Sequence, residues 1–156
     1  MSITDTFKST PKSILKNLVQ TLKDGQEGFK QSAHHVKIPE LKDLFERFSL
    51  ERAKMAGELE TELLSLGEED PQNEGTSLSG KVHRGWIDLK AALTKNDDHA
   101  VLEEAERGED VAKSAYKDAL EHDLPAPIRE IVERQATEVK RAHDEVKRLR
   151  DATAKS

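Results

Sequence analysis

The sequence predicts an all-α fold, a four-helix bundle built from two similar antiparallel hairpins. Apolar residues recur at three- and four-residue spacing along four long segments, which is the pattern of helices with one buried face. Segment 41–47 matches segment 128–134 in residue class, position by position, which indicates an internal repeat. Charged residues make up 36% of the chain and aromatic residues 4%, a composition typical of long amphipathic helices.

The first hairpin is predicted to contain helices α1 (11–36) and α2 (39–66). A Thr-Pro pair at 10–11 signals the start of α1, because the threonine hydroxyl caps free amides and proline has no amide to leave unpaired. Gly25 and Gly28 lie inside α1. Two glycines at this spacing predict either the close approach of a neighbouring element or a kink.

A long crossover, 68–97, is predicted to begin as a polar loop and to continue as a helix of about sixteen residues, α3 (78–93). Trp86, the only tryptophan, falls on the apolar stripe of α3 and is expected to anchor it to the bundle. His83 and Arg84 beside it leave open a site for an anion or a partner. One long crossover between two short-turn hairpins is the connection found in ferritin-like bundles.

The second hairpin is predicted to contain α4, which begins at Asp97 or Asp98 and ends before Pro125, and α5, which begins at Pro127. Each hairpin buries its apolar stripe against the other, so we expect one domain with two-fold pseudo-symmetry. The predicted parts are a flexible N-terminus at 1–10, then a single bundle domain at 11–153 with hairpins at 11–67 and 98–153.

Two glutamates fall on the predicted apolar stripes at equivalent positions, Glu51 on α2 and Glu138 on α5. In di-iron and di-manganese bundles, two helices each supply a Glu and the other two each supply Glu-x-x-His, whose spacing keeps both ligands on one face. Three residues after each of these glutamates the chain instead has a cation, Lys54 or Arg141. An ammonium or guanidinium group pairs with a carboxylate and competes with a divalent ion for it.

The pattern therefore predicts a metal-free salt-bridge network in the bundle interior. Glu109 is the carboxylate expected from α4, whereas the equivalent position on α1 is Leu22. His143 is predicted to lie at the surface or at the edge of the α5 stripe. The alternative is a degenerate iron or manganese site held by Glu51, Glu109 and Glu138. The residues predicted for the network are Glu51, Lys54, Glu58, Glu109, Glu138, Arg141 and Glu145.

Several stretches together resemble a bacterial ferritin-like four-helix-bundle family of uncharacterised function. They are KDGQEGF at 23–29, HRGWIDLKAAL at 83–93, ERGED at 106–110, ERQ at 133–135 and AHD at 142–144. The resemblance covers about 13–152 and implies the ferritin-like fold without implying an activity. The wider ferritin-like group includes di-iron oxidases and iron stores, and this chain departs from their ligand pattern at Leu22, Lys54 and Arg141.

Composition narrows the classes of function. A formal net charge of −6 gives no general basic surface for nucleic acid, and the lack of cysteine excludes disulfides and thiolate chemistry. With no apolar run of membrane-spanning length and no signal-peptide pattern, we expect a cytoplasmic protein.

The expected function is a non-catalytic, stress-associated or protein-interaction role, with self-association as a dimer favoured. A degenerate metal-binding or redox protein is the alternative, and binding of a small apolar or anionic ligand in the interior is a third hypothesis.

Overall fold

The computed structural model describes residues 10–68 and 84–154. The all-α prediction is confirmed, since the described residues form helices and connecting turns and contain no strand. No described helix combines the length and the apolar character needed to cross a bilayer. The helices are α1 (Pro11–His35), α2 (Pro39–Ser65), a 3-10 turn (Arg84–Trp86), α3 (Leu89–Thr94), α4 (Asp98–Leu120) and α5 (Ala126–Ala154).

The helices pack as a bundle in which α1 contacts α2 along its length, α4 contacts α5, and α1 contacts α4. Two hydrophobic clusters divide the core. The first joins the start of α1 (Leu15) to the end of α2 (Leu63), and the end of α4 to the start of α5. The second joins the opposite halves of the same helices, and the crossover packs into it through Trp86 and Leu89. Both hairpins are therefore antiparallel.

The helix starts use the side chains that the sequence indicates. Thr10 Oγ1 accepts a hydrogen bond from the Ser13 amide at 3.1 Å and caps α1, and Asp97 caps α4 by accepting from the His99 amide at 3.0 Å. Asp98 has a different role, because its carboxylate accepts from the amides of Lys37 and Ile38 at 2.8 and 2.9 Å. The start of α4 is thereby hydrogen-bonded to the turn between α1 and α2.

The crossover helix is shorter than predicted in the part that the structure describes. A 3-10 turn and the six residues of α3 replace a continuous helix, because the Asp88 amide donates to the Glu104 carboxylate at 3.0 Å, away from the helix-forming carbonyls. The polar loop, the first residues predicted for α3 and His83 lie outside the described residues. So do residues 1–9, on which the prediction of a flexible N-terminus falls.

Trp86 anchors the crossover, as predicted. Its indole is 3% exposed and packs edge-on against Phe29, with ring centroids 5.1 Å apart. Gly28 on α1 and Gly108 on α4 let the indole sit against both helices, since a Cβ at either position would overlap the ring. Gly25 lies beside the Arg52 side chain, but a Cβ there would make only an ordinary contact with it. Of the two readings of the α1 glycines, close approach is the correct one.

Candidate functional site

An ion pair between Arg52 on α2 and Glu109 on α4 lies in the middle of the bundle. The two guanidinium nitrogens Nη1 and Nη2 donate to Glu109 Oε1 and Oε2 at 2.6 and 2.5 Å, a parallel two-bond arrangement. The side chain of Arg52 is 3% exposed and that of Glu109 is 0% exposed. The guanidinium also stacks 5.3 Å from the ring centroid of Phe29 on α1.

Sequence position explains why this pair lies where the two apolar clusters meet. On α2, Arg52 lies between Phe48 of one cluster and Met55 of the other, and on α4, Glu109 lies between Ala105 and Ala112 in the same way. Burial disfavours the charged guanidinium, but the charge and hydrogen bonds of Glu109 outweigh it, and the pKa of Arg52 is raised. Arg52 therefore stays charged, and its two N–H groups occupy both oxygens of Glu109.

A second, separate series of hydrogen bonds runs from the buried Tyr116 hydroxyl toward the surface. The Tyr116 hydroxyl donates to Gln135 Oε1 at 2.7 Å, and Gln135 Nε2 donates to the Met55 carbonyl and to Glu58 Oε1 at 3.1 and 3.0 Å. Arg134 donates to Glu58 Oε2 at 2.6 Å and, as the main cause, lowers the pKa of Glu58. Burial raises the pKa of the Tyr116 phenol. This series ties α2, α4 and α5 together.

The seven residues predicted as one interior network are not brought together there. Only Glu109 is fully buried, and its partner is Arg52, which the prediction did not include. Glu58 lies partly buried in the second series of hydrogen bonds. Four of the seven line an open groove of about 500 Å³ on α2 and α5, and these are Glu51, Glu138, Arg141 and Glu145.

The predicted interior positions were wrong for Glu51, Lys54 and Arg141, all of which are exposed. Arg141 pairs with Glu138 along α5 at 2.8 Å, and Glu145 pairs with Arg148 at 2.8 Å. The alternative metal site fails for the same reason, because Glu51 faces solvent and both oxygens of Glu109 are taken by Arg52. The donor set does not fit a dinuclear iron or manganese centre.

A third polar cluster, which the sequence reasoning missed, lies between α4 and α5. His143 is 6% exposed, so of its two predicted locations, the surface and the edge of the α5 stripe, the surface is wrong. Its Nε2 lies 2.7 Å from Asp110 Oδ1 and 3.9 Å from Glu106 Oε2. Its Nδ1 lies 3.1 Å from Asp144 Oδ1. The signal available in the sequence was the i, i+4 pair of acids at 106 and 110 together with a histidine on the neighbouring helix.

Comparison with known proteins gives one family. A family described as a domain of unknown function (DUF2383) matches residues 11–122. The matched range includes α1, α2, the crossover and α4, and hence both partners of the Arg52–Glu109 pair. No curated protein matches the chain.

Proposed function

The chain belongs to the DUF2383 family of domains of unknown function, and we propose that it is a non-catalytic, ferritin-like bundle that acts through protein interaction. Its interior is metal-free and is held by the Arg52–Glu109 pair. The observation that carries the proposal is the complete use of Glu109 by Arg52 at the centre of the bundle.

Contacts repeated at the 87-residue offset of the two hairpins support the ferritin-like pseudo-symmetry. Tyr116 hydrogen-bonds Gln135, and the equivalent residues Phe29 and Phe48 are in edge-on ring contact with centroids 5.3 Å apart. One pair is polar and the other aromatic, but both join the first helix of a hairpin to the second at the same height. The repeated geometry is what duplication of one hairpin produces.

The central ion pair breaks this symmetry. The positions equivalent to Glu109 and Arg52 are Leu22 and Val139, and both are fully buried in one apolar cluster. The centre therefore contains two apolar side chains, Leu22 and Val139, on one side and the Arg52–Glu109 ion pair on the other. Neither half offers a free carboxylate to a metal, which supports a structural role for the centre.

An exposed face of α2 supports self-association as the first interaction. Leu50 and Leu64 are 73% and 57% exposed, and each lies seven residues from Gly57, around which there is open space. Seven residues are two helical turns, so the three residues share one face. Two copies of α2 crossing antiparallel at Gly57 would set Leu50 of one against Leu64 of the other. That is the self-complementary pattern of a two-fold dimer.

The interior assignment is tested with Arg52→Met, Glu109→Leu and the double variant. Each single change leaves one buried charge unpaired and should destabilise the fold by about 3–5 kcal/mol, whereas the double variant should recover most of that loss. Denaturant unfolding followed by circular dichroism measures the three free energies. Binding of Fe(II) or Mn(II), measured by equilibrium dialysis, should be the same in the folded double variant and the native chain.

The matched control is Arg141→Met with Glu138→Leu, which removes an ion pair on the exposed side of α5 and should cost little. If the interior double variant lost stoichiometric iron or manganese that the native chain binds, the centre would be a metal site. The proposal would then be wrong.

A further inference from the structure

We propose that Glu106, Asp110 and His143 form a site for one divalent transition-metal ion on the α4–α5 side of the bundle. Their ligand atoms, one from each residue, all lie within 4.8 Å of one another. The site uses neither Arg52 nor Glu109, so it is independent of the proposed function. It also has no counterpart in the first hairpin, where the equivalent positions are Val19, Lys23 and Ala56.

Helix geometry brings the two carboxylates together. Glu106 and Asp110 are four residues apart on α4, so both face α5 on the same side of the helix. His143 projects from α5 with its ring buried, which holds the imidazole in place. Two oxygens on one helix and a nitrogen on the next then supply three ligands from a rigid frame.

Asp144 supplies the support that a metal-binding imidazole needs. Its carboxylate lies 3.1 Å from His143 Nδ1, and when Nδ1–H donates to it, Nε2 points its lone pair toward Asp110 and Glu106. At 2.7 Å from Asp110 Oδ1, that nitrogen needs either a hydrogen atom or a metal cation between it and the carboxylate oxygen. A carboxylate that orients the far nitrogen is the usual partner of a zinc-bound histidine.

Neighbouring cations pair with the carboxylate oxygens of Glu106 and Asp144 that do not face His143. Arg150 contacts the second oxygen of Glu106, and Lys140 pairs with Asp144 at 2.8 Å. Asp110, whose side chain is 61% exposed, opens the site to solvent. Water can therefore complete the coordination shell, and the Asp110 side chain is free to move outward by the few tenths of an ångström that a metal between it and Nε2 requires.

The donor set selects the class of ion. One imidazole nitrogen and two carboxylate oxygens suit Zn²⁺, Mn²⁺, Fe²⁺ or Co²⁺, whereas Mg²⁺ and Ca²⁺ prefer oxygen ligands alone. The absence of thiolates argues against a soft-metal site. Zn²⁺ is the practical probe, and Co²⁺ reports imidazole coordination through its visible absorption.

The test is calorimetric titration of the tag-free full chain with Zn²⁺, and with Co²⁺ followed by absorbance. We expect one ion per chain, bound at least about 10- to 100-fold more weakly by Asp110→Asn. The same loss is expected for His143→Gln. Asp110→Asn is the main variant, because the exposed carboxylate can be changed without disturbing the core. Its thermal unfolding without metal should match that of the native chain.

His99→Gln is the matched control, since His99 lies 3.9 Å from Glu103 and, in the part of the chain that the structure describes, belongs to no group of three possible metal ligands. It should bind Zn²⁺ like the native chain, as should the interior double variant Arg52→Met with Glu109→Leu. Sub-stoichiometric binding by the native chain, or equal binding by Asp110→Asn, would show that a proton alone fills the site and would overturn the proposal. Loss of binding only in the interior double variant would instead contradict the proposed function.

Discussion

At the scale of single residues, the centre of this bundle contains one ion pair, between Arg52 and the fully buried carboxylate of Glu109. Replacing a buried ion pair by apolar residues often costs nothing, whereas removing one partner is expensive. The pseudo-equivalent residues Leu22 and Val139 show that this fold accepts the apolar solution in its other half. The ion pair is thus not required by the architecture, and it gives the two halves of the centre different polarity.

The ionisation of Tyr116 can be followed by ultraviolet absorbance without interference from other tyrosines, because Tyr116 is the only tyrosine in the sequence. Burial raises its pKa, so the folded state keeps the phenol proton at a pH where an unfolded tyrosine, with a pKa of about 10, loses it. The free energy of unfolding should therefore fall as the pH rises above about 10. Tyrosinate absorbance should appear together with the loss of helical circular dichroism.

The control is the chain unfolded in guanidinium chloride, whose tyrosine should titrate at the ordinary pKa. Ionisation at that same pH in the folded chain, with the helical signal intact, would show that the Tyr116–Gln135 hydrogen bond is not formed in solution.

At the scale of elements, the crossover packs closely on α1 and α4 because glycines lie at the points of contact. Gly28 on α1 and Gly108 on α4 admit the indole of Trp86 between the helices, and Gly85 lies against the backbone of Gly108. Arg107 on α4 also joins the crossover to α4, because it pairs with Asp88 at 2.6 Å and with Glu104 at 3.2 Å. Burial is the main cause that raises the pKa of Glu104.

Gly28→Ala should destabilise the fold by about 1–3 kcal/mol, because the added methyl group overlaps the buried indole of Trp86. Trp86 is the only tryptophan, so a red-shifted fluorescence emission would report its exposure. Denaturant unfolding gives the change in free energy.

Gly57→Ala is the matched control on α2, where a Cβ has nothing within 4 Å. It should stabilise the helix by about 0.5–1 kcal/mol when measured at a concentration that keeps the chain monomeric. Equal effects of the two substitutions would mean that Trp86 does not occupy the space beside Gly28.

At the scale of the whole molecule, the proposed dimer depends on the exposed leucines of α2. Leu50→Lys with Leu64→Lys should shift the chain from dimer to monomer in analytical ultracentrifugation, because four lysines would meet across a two-fold interface. The control is Ile87→Lys, an exposed residue of similar size on the crossover that is 67% exposed. A native chain that sediments as a monomer, or an equal effect of Ile87→Lys, would rule out this face.

Much of the fold could be predicted because its signals are local. The Thr-Pro start of α1, the cap at Asp97 and the inward position of Trp86 depend on residues within one or two helical turns, and each appears where expected. In the described part of the crossover, the predicted continuous helix is interrupted between Trp86 and Leu89, because the Glu104 side chain of α4 accepts a hydrogen bond from the Asp88 amide. Asp88 and Glu104 are sixteen positions apart, and a contact at that separation does not alter the apolar periodicity from which helices are predicted.

The site was only partly predictable, for a geometric reason. Between Phe48 and Met55 on α2, both Glu51 and Arg52 satisfy three- and four-residue spacing, so periodicity does not decide which one faces inward. Assigning the inward position to Glu51 left out Arg52, its neighbour in the sequence and the partner of Glu109. For His143 the sequence left two positions open, the surface and the edge of the α5 stripe, because its partners Glu106 and Asp110 lie on another helix.

By itself the sequence determined the four long helices, the caps at Thr10 and Asp97 and the interior position of Glu109, since all of these follow from short-range periodicity and capping chemistry. Only the tertiary structure decided that Arg52 meets Glu109 and that His143 meets Asp110. Such pairings depend on the rotation of one helix against another. That rotation is set by how the glycines, aromatic rings and aliphatic side chains of the core fill space together.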